Sequence, residues 1–164
     1  TFAGALEYAR AATDPRTGSA LFDLEGSAYP NIAGASAPHA ESVTAAAIVT
    51  RLLAGEKPDA EQIRLGTARL DDNRPQYTAS GGTVDFVYWH MGTVAESLQP
   101  SARRVSWLKS LTAALLPTQR KIADGDLEGS WDPGVDAWGS AGGRVYATAI
   151  NVMTLTAVAR YWRK

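Results

Sequence analysis

The chain has 164 residues, 45% hydrophobic and 20% charged, with 16 Lys and Arg against 17 Asp and Glu, a net charge of -1 and no cysteine. That composition fits one globular core and argues against nucleic acid or an anionic membrane surface as partner. It also excludes disulfides, a thiolate nucleophile and a Cys-ligated zinc site, and no run of about 18 apolar residues offers a membrane span.

In chain order, residues 2–12 place Phe2, Ala5, Leu6, Ala9 and Ala12 at helical spacing, and Asp14-Pro15 ends the helix. Residues 17–40 are a loop by their glycines and prolines. A second helix is expected over 42–54, with Val43, Ala46, Ala47, Thr50 and Leu53 along one face and Gly55 at its C-terminal end. The third is expected from Asp59, as N-cap with Gln62 three residues on, to about Leu70, followed by a loop over 71–82. The fourth, 84–98, carries its aromatic residues in its first turns. After Pro100, a fifth helix turns Val105, Leu108, Leu111 or Thr112, and Leu115 inward, and Arg103, Arg104 and Lys109 to water. The sixth, 145–162, is apolar nearly all round, with Asn151 and Arg160 its strongly polar residues, which predicts burial on every side.

The order is three helical hairpins, about 1–55, 56–99 and 100–164, each with a glycine-containing loop. The segment Asp-Leu-Glu-Gly-Ser occurs at 23–27 and again at 126–130. The helices that follow the two copies agree at Val43 and Val145, Ala45 and Ala147, Ala47 and Ala149, and Ile48 and Ile150. A fainter middle copy matches Gly81-Gly82-Thr83-Val84 to Gly142-Gly143-Arg144-Val145. An internal repeat of hairpins must bury its faces by stacking on neighbours.

Gln119 followed by Gly129-Ser130-Trp131, with apolar helices on either side, resembles the QW repeat of squalene-hopene cyclases and the related prenyltransferase repeat. Residues 142–149, with Leu155 and Tyr161, look like the closing repeat of bacterial proteins with that fold. The resemblance implies an all-α protein of the α/α-toroid class, here a half or incomplete ring of about six helices. The spacing from glutamine to Gly-x-Trp is longer than in the cyclase repeat, and Ala28 stands where the first copy needs tryptophan. Gln119, Gly129, Trp131 and Trp138 are expected to be structural, the tryptophans stapling one hairpin to the next.

The family's catalytic motifs are not matched. Neither Asp71-Asp72 nor Asp124-Gly125-Asp126 completes a D-x-D-D acid motif, and Pro75 and Gln76 occupy the end of a would-be D-D-x-x-D magnesium box. Both acidic pairs are expected in loops. Asp124, Asp126, Glu128 and Asp132, with Gly129 in the sixth position, have the spacing of a calcium loop, except that Val135 replaces the closing glutamate. No cofactor is expected; calcium is the one candidate this loop offers, the alternative being a hydrated turn whose carboxylates cap nearby helices. His90 lies in a helix between Tyr88, Trp89 and Met91, and these aromatics with His90 and Tyr146 are the candidate ligand-binding residues; His39, in a loop, carries no signal.

The expected function is a non-catalytic scaffold or binding module for a protein partner or an apolar ligand. The alternative is a fragment of an isoprenoid cyclase or prenyltransferase-like enzyme whose catalytic residues lie elsewhere. The start at Thr1 suggests a piece excised from a longer chain, localisation stays open, and a half ring could be completed by a second copy.

Overall fold

The computed structural model describes residues 2–21, 40–79, 84–100 and 102–161, without the side chains of Ala40, Ala102 and Asp124. The first Asp-Leu-Glu-Gly-Ser copy, Ala28, His39, the 81–83 loop and Trp162 lie outside them. The described chain is all-helical: α1 (Phe2–Ala11), α2 (Ala40–Leu53), α3 (Glu61–Asp72), α4 (Phe86–Ser97), α5 (Ala102–Leu115) and α6 (Gly139–Tyr161). Short 3₁₀ turns at Leu116–Thr118, Ile122–Leu127 and Pro133–Val135 join α5 to α6. Among the described residues, extended pairing is limited to isolated bridges between Thr13 and Ala20 and between Val84 and Asp136.

The helices fall into two sets. α4 packs between α2 and α6, while α1 and α3 lie against α2, and α5 lies against α4. The second helix of each hairpin thus stands in one row, and the first helices flank it. α4 and α6 run in the same direction, since His90 meets Thr154 and, further along both helices, Val94 and Ala157 line the same groove.

α4 is the centre of the core. Asp85 caps it, its Oδ1 accepting from the Tyr88 N–H at 2.8 Å. Phe86 meets Trp89 edge to face with ring centres 5.4 Å apart, and Tyr88 meets Trp107 of α5 the same way at 5.7 Å. Gly92 makes the second contact possible, because a Cβ there would overlap the Trp107 indole. The indole N–H of Trp107 then donates to Thr93 Oγ1 at 3.0 Å. Ile48, Ile63, Leu70, Leu108, Leu111, Leu115 and Trp131 complete the cluster.

Five local expectations are corrected. α3 is capped by Ala60 without a side-chain bond, not by Asp59. Gln62 is drawn instead to the buried Arg51, whose Nη2 donates to Gln62 Oε1 at 2.9 Å while its fork also holds Glu56 at 2.8 Å. Asp71-Asp72 forms the last turn of α3, not a loop. On α5, Val105 is 60% exposed, because Trp107 takes the inward position and rotates the stripe. Arg104 does not face water; its guanidinium donates to the carbonyls of Tyr161, Ser97 and Gln99 at 3.3, 3.0 and 2.9 Å.

The fifth correction concerns α6. The helix is broken at Gly143, whose φ of 66° and ψ of -170° leave the α region, so the continuous part starts close to the expected 145. Its buried face is made of small and polar residues: Ala147, Asn151, Thr154 and Ala157. The expected burial on every side is overturned, since Val145 is 84% exposed, Met153 54% and Val152 51%.

Candidate functional site

Two polar arrangements flank α4, one at its start and one along its side. At the start, the loop before α6 is tied down by a buried carboxylate. Asp136 Oδ1 accepts from the Phe86 N–H at 2.7 Å and Oδ2 from the Trp138 N–H at 3.1 Å, while the Ala137 N–H donates to the Val84 carbonyl at 3.0 Å. Burial, with the neighbouring Asp85 charge, pushes the Asp136 carboxyl up to about 6 despite the two N–H donors. The Tyr146 phenol is buried beside it without closing a hydrogen bond of good geometry, and burial pushes its own pKa up. Both oxygens of Asp136 are used to position backbone, which is structural work.

Along the side, α4 and α6 enclose a groove of about 340 Å³ lined by His90 and Val94 from α4 and by Val152, Met153, Thr156, Ala157, Arg160 and Tyr161 from α6. That volume lies at the small end of ligand pockets, and its walls are apolar with a few polar groups, the pattern such pockets share. α6 supplies most of it because its side chains at spacings of three and four fall on one face. His90 Nδ1 lies 3.2 Å from Thr154 Oγ1, and burial lowers the imidazole pKa, so the ring is neutral near pH 7.

The chain matches no family model, and neither curated proteins nor solved structures give a significant match. The site rests on its own geometry.

The structure separates the four candidate ligand-binding residues. Tyr88 and Trp89 turn into the core, Tyr88 donating to the Asn73 carbonyl at 2.9 Å. Tyr146 sits by Asp136, and only His90 lines the groove. Of the calcium-loop residues, Asp126 and Glu128 are exposed, and the Asp124 side chain is outside the description. Asp132 is held by the Gly134 N–H at 2.9 Å and by Arg120 at 2.7 Å, contacts that keep its carboxyl below the usual range. Among the described residues no three His, Asp or Glu side chains converge as a metal would require.

The loop residues tie the loop to the end of α5 within the last hairpin. Gln119 Nε2 donates to the Gly129 carbonyl at 2.9 Å, and the buried Trp131 donates through its indole N–H to the Leu115 carbonyl at 3.0 Å, closing the end of α5. Trp138 is half-buried. Sequence reasoning missed Val152, Met153 and Thr156 as groove residues, and Thr154 as the partner of His90. Their signal was present in the i, i+1, i+4 spacing of Val152, Met153 and Thr156, but an apolar helix read as core hid it. Glu96 was also missed: it is 1% exposed, neither carboxylate oxygen has a hydrogen-bond partner among the described residues, and burial pushes it up to about 7.

Proposed function

We propose that this chain is a non-catalytic binding module of the prenyltransferase and squalene-cyclase repeat class, engaging an apolar ligand or a protein partner through the open face of α6 and its groove with α4. The observation that carries this reading is the exposure of Val145, Val152 and Met153 on one helix, an apolar stripe that a lone soluble domain has reason to cover. The class is supported by the Gln119 and Gly-x-Trp loop and by the row of second helices flanked by first helices, the layering expected of stacked hairpins. A second copy of the chain is one protein that the open end of such a row would accept.

The reading as part of an isoprenoid-processing enzyme draws on the raised carboxyl of Asp136, a group able to hold a proton near neutral pH. Its two backbone donors favour the structural role instead.

The test is binding of an anilinonaphthalene sulfonate dye to the folded chain and to the double variant Val152→Asp, Met153→Asp. The folded chain should enhance the dye's fluorescence, and the variant should lose most of that enhancement while keeping its thermal midpoint. A variant that melts as before and still binds dye fully would refute the assignment of the site to α6.

A further inference from the structure

The groove holds a histidine whose tautomer can be read from its neighbour. Thr154 has one hydroxyl proton, and at 2.7 Å it is donated to the Ile150 carbonyl one turn back along α6. Towards His90 Nδ1, 3.2 Å away, Thr154 Oγ1 can then only accept. The proton of the neutral imidazole therefore sits on Nδ1, and Nε2 is left with a lone pair. Nε2 makes no hydrogen bond to any described residue, and the ring lines the groove.

The Thr156 hydroxyl does not compete for that lone pair. It donates to the Val152 carbonyl at 2.8 Å. Arg160 is exposed at the end of the groove where Tyr161 also lies, so its stem can wall the groove while its charge stays in water. Between these ends the surface is Val94, Val152, Met153 and Ala157.

We infer that the groove takes a neutral aliphatic alcohol, its chain on the Val94, Val152 and Met153 wall and its hydroxyl donating to His90 Nε2. At His90 a carboxylate fits less well, because its oxygens carry lone pairs that oppose the one on Nε2 and protonating a desolvated imidazole to receive them is unfavourable, while the Arg160 cation that would attract it is exposed to water. An alkane or ether fills the groove but leaves Nε2 without a donor after displacing its water, a penalty that gives the site its discrimination.

This inference rests on the binding function proposed above, and its test separates the two. Nitrogen-15 spectra of the histidine rings, of which the chain has two, should show His90 protonated on Nδ1 in the free protein, with Thr154→Val weakening that preference. Octanol should bind about fivefold more tightly than its methyl ether and shift the Nε2 resonance, and His90→Ala should abolish the difference between the two probes. A proton on Nε2 in the free protein overturns the inference, as does equal binding of octanol and ether or stronger binding of octanoate. If ether binds as well as octanol, the apolar groove stands and the hydroxyl selectivity falls; if no probe binds, both fail.

Discussion

α4 and α6 are neighbours in one row with similarly apolar sequences, yet they have different fates. α4 is covered by α2, α5 and α6, and its large aromatic side chains Phe86, Tyr88 and Trp89 all point into that cover. α6 fully buries only small and polar residues, Ala147, Asn151, Thr154 and Ala157, with Tyr146, Ile150, Leu155 and Val158 partly buried beside them, and leaves Val145, Val152 and Met153 outside. Close packing against small residues lets two helix backbones approach, whereas large apolar residues on the outside contribute nothing to folding until something covers them. The difference separates the part of the chain that has completed its own core from the part that leaves large apolar side chains exposed.

Breaking the α4 side should be costly. Trp89→Ala is expected to lower stability by about 3–5 kcal/mol, read by urea denaturation, because a filled cluster is emptied around a fully buried ring. The buried Glu96 should add a pH dependence of about 3 kcal/mol on the same helix. Its folded pKa of about 7 exceeds the ordinary carboxyl value, so the folded state binds the proton more tightly than the unfolded state. Stability is full below the unfolded pKa near 4.5 and declines as pH rises towards about 7. Glu96→Gln should flatten that decline in part, Asp136 titrating in the same direction beneath it. A profile identical to the wild type would remove Glu96 from the account.

Gly92→Ala should cost about 1–3 kcal/mol, since the new methyl meets the Trp107 ring and one of the two helices must move. At the other extreme, Met153→Ala and Val152→Ala should change stability by less than about 0.5 kcal/mol each. A large loss there would mean that the outer face of α6 is covered by the chain's own residues, and the contrast between the helices would fail.

The helices were legible in the sequence because prolines, glycines and 3.6-residue spacing act locally: Asp14, before Pro15, and Gly55 stand within three residues of the observed helix ends. Gln119 and Trp131 could be singled out in the sequence, but the bonds they make, to Gly129 and Leu115, lie within the last hairpin rather than between hairpins. What could not be read was which side of each helix faces inward when both sides are apolar. On α5, Trp107 outweighs Val105 for the inward position by sheer buried area, and on α6 the small residues took the interface. Hydropathy ranks both faces of α6 alike, and only the placement of α4 separates them. His90 could be singled out by its chemistry, but its partner Thr154 is 64 residues away, a distance no local spacing reports.

The most direct test uses the chain's two methionines, Met91 on α4 and Met153 on α6, as carbon-13 methyl probes. Titrated with the anilinonaphthalene sulfonate dye, the Met153 resonance should move progressively to saturation, while Met91, packed against the core, moves little. Dye binding that leaves Met153 unmoved would contradict the assignment of the open face of α6 as the binding surface.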